Sequence, residues 1–320
     1  MKGLRRSGLL AASLLGIGLA VPVSAAASPF DPSGVIKVVP PAQANLNATQ
    51  SSNWFGYNAG ALERGTLFNS ISADWTVPTV SRHAAGQAGD SASWIGIGGG
   101  CLSAGCPLSD ATLIQAGTEQ DVDSSGHASY SAWWELVPAP GITISNFNVS
   151  PGDHIHASVA EAAPNSEIWT ITLTDTTRGE TFSTTVPYAS THSTAEWIDE
   201  TPVTIGTDGA GEASLPNLTE TRFSGATVNG AAANLAPGEE VQLTDGSGKV
   251  IGAPSAPLAG TAFADCAWAS SCPTPSVAGP ISRASSKATA KHRKHKRRRR
   301  KQHKRRHRTH RRTHHASRGR

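Results

Sequence analysis

One glutamine and three glutamates stand on runs of alternating residues, where their side chains could activate water and hold a developing charge. They are Gln115, Glu119, Glu135 and Glu196, with His127, His154, His156 and His192 as further candidates. In the run LIQAG, Leu113 and Gln115 point to one face and Ile114 to the other, because side chains alternate along a strand. In YSAWWELV, Ser131, Trp133, Glu135 and Val137 share a face opposite Tyr130, Ala132, Trp134 and Leu136. In AEWIDE, Ala195 and Trp197 lie opposite Glu196 and Ile198. A carboxylate can act as general base on water, an amide N–H can hold an oxyanion, and paired carboxyls can cleave a glycosidic bond. The spacing of these residues does not choose among those chemistries.

Other reaction classes find little support. There is no G-x-S-x-G elbow, and the four cysteines of an exported chain are expected to pair, so serine or thiol catalysis has no motif behind it. No H-E-x-x-H pair occurs; His154 and His156 share a strand face and read as a surface pair. Asp175-Thr176-Thr177 occurs once and sits in a turn pattern, whereas an aspartic dyad needs two such loops. Cys101 with Cys106, and Cys266 with Cys272, is the simplest disulfide pairing, and neither pair has a histidine or carboxylate at metal-ligand spacing. No metal or other cofactor is expected.

The elements that must position these side chains are short strands. Ile71, Ala73, Trp75 and Val77 alternate with polar residues, and the block from Ser91 to Pro138 holds three apolar runs separated by Gly, Ser and Asp clusters. Residues 167–187 predict a hairpin with its turn at Asp175–Gly179, and residues 239–252 a second with its turn at Asp245–Gly248. No window longer than two turns carries a 3.6-residue period. The expectation is an all-β, antiparallel β-sandwich.

Charge divides the chain. From Arg283 onward there are 19 Lys plus Arg, seven His and no acid, whereas residues 28–282 hold six basic residues against 24 acids, a formal charge of −18. The opening segment has a basic start (Lys2, Arg5, Arg6), an apolar stretch from Leu9 to Val23 and small residues at 25–27, the pattern of a secretory signal. The expected organisation is a signal peptide at 1–27, a linker or propeptide at 28–50, the β-sandwich domain at 51–275 and a disordered Arg/Lys/His-rich tail at 276–320. The tail suits electrostatic retention at the cell surface on anionic cell-wall polymer or another polyanion.

Five separated blocks, NW-x-G (53–56), SASWIGI (91–97), LIQAG (113–117), Y-x-AWWE-x-x-P (130–138) and AEWIDE (195–200), resemble the glutamic peptidases, also called eqolisins or family G1. The resemblance covers about residues 50–272. It implies a sandwich of the lectin and glucanase type with a catalytic Gln/Glu dyad on a concave sheet face. By motif position the dyad falls on Gln115 and Glu196, with Trp94, Trp133 and Glu135 lining a solvent-accessible cleft. The chain departs from fungal members in having Gly98 and Ser131 where they carry acids, and Leu136-Val137 in place of a tyrosine-rich stretch; these changes bear on subsites. The resemblance thus implies a secreted acid endopeptidase acting on polypeptides, expected as a monomer. Two alternatives remain from the residues: a sandwich glycoside hydrolase using Glu135 and Glu196, or a carbohydrate-binding module stacking sugars on Trp133 and Trp197.

Overall fold

Alternation of small or β-branched apolar residues with polar ones runs through most of the chain, and it folds into strands almost everywhere the sequence shows it. The structure, a computed structural model, describes residues 36–38, 50–102, 108–206 and 209–276. The expected signal peptide, Cys106 and nearly all of the basic tail lie outside the described residues. Thirteen principal strands carry the architecture: β1 Trp54–Gly60, β2 Ser70–Thr76, β3 Gly89–Gly98, β4 Leu113–Val122, β5 Ala128–Val137, β6 His154–Glu161 and β7 Ile168–Asp175, followed by β8 Glu180–Pro187, β9 Thr194–Glu200, β10 Thr221–Val228, β11 Glu240–Thr244, β12 Val250–Pro254 and β13 Phe263–Ala267. Helix among the described residues is confined to Ala61–Arg64 and a 3-10 turn at Pro237–Glu239.

The strands form one hydrogen-bonded path in the order β8-β7-β6-β2-β10-β13-β12-β11-β1-β9-β3-β4-β5, all antiparallel neighbours. Register irregularities at Ser224/Thr227 and Leu243/Thr244 interrupt this path, as β-bulges do where a sheet bends. It folds over so that the inner faces of two layers meet. Tyr57, Ile95, Ile97, Ile114, Ala116 and Trp197 of the layer β1-β9-β3-β4-β5 pack into one core with Ile71, Trp75, Val159, Trp169, Leu173 and Phe223 of the layer β8-β7-β6-β2-β10. Phe223 and Phe263 stack at 4.9 Å. Each fully buried large apolar side chain contributes about 1.5–3 kcal/mol relative to exposure. The all-β antiparallel sandwich is therefore as the alternation predicts.

Both expected hairpins form: Asp175 pairs Glu180, and Leu243 pairs Gly252. Asp175 closes its turn by accepting the N–H groups of Thr177 at 2.8 Å and Arg178 at 3.0 Å, so Asp-Thr-Thr is turn chemistry. Cys266 and Cys272 are joined, and Cys101 is also oxidised.

Candidate active site

Cross-strand register brings the candidate residues together from distant parts of the chain. Asn58 on β1 lies opposite Glu196 on β9, Glu196 opposite Gly96 on β3, Gly96 opposite Gln115 on β4, and Gln115 opposite Glu135 on β5. All five positions share the face that points away from the interlayer core. They form one lateral row across the layer. Gly96 contributes no side chain, so the gap between Glu196 and Gln115 is bounded by Leu113, Trp94 and Gln115 itself, which a Cβ at position 96 would meet at 2.9, 3.0 and 3.1 Å. Two inter-strand spacings separate the two backbones by about 10 Å, a span that two side chains and a water can bridge.

Gln115 is held by Glu135. Its Nε2 donates to Glu135 Oε2 at 2.7 Å, and both residues are fully buried. Glu119, four residues further along β4, accepts the Ser131 hydroxyl at 2.9 Å at a part-buried position, outside the row. The histidines stay apart from the row. His156 pairs with Asp74 at 2.9 Å on the other layer, His154 with Thr76, and His192 with Glu161 at 3.2 Å; His127 sits on the exposed turn before β5.

Glu196 is also fully buried, and this overturns the expected solvent-accessible cleft. The cover is the segment after β3. Gly98 and Gly99 take φ of 99° and 90°, values that suit glycine, and the backbone then lies flat across the sheet face. At Gly100 a Cβ would sit 1.6 Å from Asn58 Oδ1 and 2.6 Å from Glu196 Oε1, so a side chain there would have to push both groups aside. The returning strand locks the cover down. Asp110 N–H donates to Gly100 O at 2.9 Å, Asp110 Oδ1 accepts from Thr112, and Asp110 Oδ2 accepts the Thr191 hydroxyl. Tyr188 adds a brace, accepting Leu113 N–H at 2.7 Å and donating to Val137 O at 2.9 Å.

Electrostatics follow from that burial. Desolvation pushes the Glu196 carboxyl well above its ordinary range, and the Asp110 charge pushes the same way. The Thr194 hydroxyl and Gly100 N–H stand beside it and pull it down, but neither reaches hydrogen-bond geometry.

Trp94 and Trp133 line the same face, packed with Trp54, Leu113, Val137, Ile198 and Val241. Trp94 is fully buried and Trp133 nearly so, while Trp197 points into the interlayer core. A sugar-stacking platform needs an exposed ring, so the expected roles of Trp133 and Trp197 in a binding module do not fit. A cavity of about 690 Å³ lined by Gln50, Glu212, Leu243, Ile251 and Trp268 includes none of the row.

A family model described as the peptidase A4 family matches residues 52–251. The chain belongs to that family. It is the glutamic peptidase family that the five blocks resemble. Aspergillopepsin-2 of Aspergillus niger is 32% identical over 174 residues, covering 48% of this chain and 57% of that protein. This peptidase A4 member therefore spans little more than half the length of that curated relative. A crystal structure of scytalido-glutamic peptidase with a transition state analog inhibitor aligns with TM-score 0.51 at 22% identity, over 68% of this chain and 98% of the other. A second structure of that peptidase, with a peptide based transition state analog, gives 0.50 at 21% over the same shares. At that identity the likeness shows the shared fold.

Sequence reasoning missed Asn58, Glu200 with Asn53, and the close approach made by Gly99 and Gly100. The glycine run was the available signal: three consecutive glycines beside a strand end mark a close backbone approach.

Proposed function

We propose that this family member is a secreted acid endopeptidase in which Gln115 and Glu196 form the catalytic dyad. The observation that carries the reading is the lateral row, in which Gly96 leaves a gap between the amide and the carboxyl. Ionised Glu196 takes a proton from a water in that gap, and the resulting hydroxide attacks the scissile carbonyl carbon. Gln115, fixed by Glu135, donates an N–H to the oxygen as it gains charge. Collapse of the tetrahedral species breaks the C–N bond, and Glu196 returns the proton to the leaving amine.

A solvent-exposed carboxylate is a working base in acid, where its basicity matches the ambient pH. In the closed pocket burial instead keeps Glu196 protonated there. Entry of substrate and water beside the Gly100 backbone would re-solvate the carboxyl and draw it back toward its ordinary range. Glu135 and Glu196 as a glycosidase pair would have to work across Gln115, which stands between them in the row.

Casein hydrolysis in acid tests the assignment. Gln115→Ala should lower turnover by on the order of 10²–10³ and Glu196→Gln by up to about 10⁴, with Glu135→Gln milder. Circular dichroism should show all three folded. A folded Gln115→Ala protein that keeps most of its rate would end the dyad reading, and a wild-type protein that leaves casein intact but cleaves a polysaccharide would favour the glycosidase.

A further inference from the structure

Glu200 is a second fully buried carboxyl on the outer face of β9, and the dyad chemistry does not use it. It shares that face with Glu196 and Ile198 and lies opposite Trp54 on β1 and Ala92 on β3. Its Oε2 accepts Trp94 Nε1–H at 2.9 Å and its Oε1 accepts Asn53 Nδ2–H at 3.1 Å. Trp54 Nε1–H stands beside it without hydrogen-bond geometry. Among the described residues no Lys, Arg or His forms an ion pair with it.

What these contacts hold leads back to the dyad. Trp94 packs edge-to-face on Trp54 at 4.9 Å. The far edge of its ring would meet a Cβ at Gly96 at 3.0 Å, so Trp94 spans from Glu200 to the gap between Glu196 and Gln115. The Trp54 ring likewise reaches the Gly99 position of the covering segment, at 3.2 Å from a Cβ there. One carboxyl therefore anchors the indole that walls the reaction gap.

We propose that Glu200 is a positioning residue for the dyad, acting through Trp94. A purely apolar core residue could fill the volume but could not orient an indole by its N–H. Ionised or protonated, a carboxyl can accept an N–H at each of its two oxygens, whereas glutamine presents one acceptor and one group that only donates. In Glu200→Gln one N–H of Trp94 or Asn53 therefore faces an N–H, and the indole loses its fixed placement. Misplacement of a group at a reacting centre costs up to on the order of 10²-fold in rate.

The pairing can be restored from the other side. In Asn53→Asp with Glu200→Gln, the amide of Gln at 200 donates to Asp at 53 and its oxygen accepts from Trp94. Ser51, which donates to Asn53 Oδ1 at 2.8 Å, still finds an acceptor. The experiment measures kcat and KM on a peptide substrate in acid for wild type, Glu200→Gln and the double variant, with near-UV circular dichroism of the tryptophans. Glu200→Gln should lose about 10–100-fold, chiefly in kcat, with an altered near-UV band, and the double variant should recover rate and band to within about fivefold. A folded Glu200→Gln protein with unchanged kcat and unchanged band would overturn the proposal, as would loss without recovery in the double variant. The proposal rests on the dyad reading, and the two fail separately: an active Gln115→Ala removes the dyad whatever Glu200 does, while the near-UV band reports the Trp94 anchor without reference to turnover.

Discussion

The two layers of the sandwich obey the same alternation and treat their acids in opposite ways. On the layer β8-β7-β6-β2-β10 the outward positions are hydroxyls facing water in cross-strand pairs, Thr170 with Thr185, Thr172 with Ser183 and Thr174 with Thr181. Its acids have partners: Asp153 and Asp175 meet Arg178 at 2.8 and 3.3 Å, and Asp74 meets His156. Glu180 is held below its ordinary range by the Asn148 N–H. On the layer β1-β9-β3-β4-β5, Glu196 and Glu200 on the outer face and Asp199 on the inner face are all buried, and among the described residues none forms an ion pair. Alternation puts a polar residue outward on both layers; the covering segment and the surrounding tryptophans decide whether water reaches it. A carboxyl cut off from water and from cations is held neutral at a cost, and such groups gather where a fold does chemistry.

The largest break in this comparison should come from pH. Burial raises Asp199 from 3.8 to about 7, with the Ser93 hydroxyl donating to it and the Thr221 hydroxyl beside it, both pulling it down. Asp265, across the interlayer core, is raised by its own burial and by Asp199. Tyr57 also feels Asp265, and no cation faces the pair among the described residues. A carboxyl with a raised folded pKa binds more protons folded than unfolded, so its contribution is intact below about pH 4 and is lost as pH climbs toward 7. Asp199 alone should withdraw about 4 kcal/mol over that window, and Glu196, Glu200 and Asp265 act in the same direction. Denaturant unfolding at pH 4 and pH 7 should show far greater stability in acid, and Asp199→Asn should flatten that slope by about 1.4 kcal/mol per pH unit. A wild-type protein equally stable at both pH values would contradict the uncompensated acids.

A smaller test sharpens the role of the cover. Gly100→Ala drives a Cβ into Asn58 and Glu196, so it should cost on the order of 10²-fold in peptide turnover. Gly238→Ala meets nothing within 4 Å and should be silent. Equal rates for the two variants would show that the close approach at Gly100 does not matter. The smallest effect belongs to the hydroxyl face. Thr172→Ala removes one cross-strand pair in contact with water and should shift stability by less than about 1 kcal/mol, with turnover unchanged. A larger loss in thermal unfolding would mean that this face is coupled to the core.

Much of this was legible before any tertiary contact was known. A period of two is local, so the faces of Gln115, Glu135 and Glu196 and the turns at Asp175 and Asp245 follow from neighbours along the chain. What only the folded chain decides is pairing between strands far apart in sequence. Glu196 meets Gly96 and Gln115 because β9 inserts between β1 and β3, and no run of residues near position 196 states that. Burial of the dyad is likewise nonlocal, since it depends on Gly100 lying across Glu196 from another strand end. The NW-x-G block shows the division most plainly. Its residues marked a family resemblance, but that Asn53 and Trp94 share the carboxyl of Glu200 is a matter of register across three strands, where side chains distant in sequence compete for one low-dielectric site.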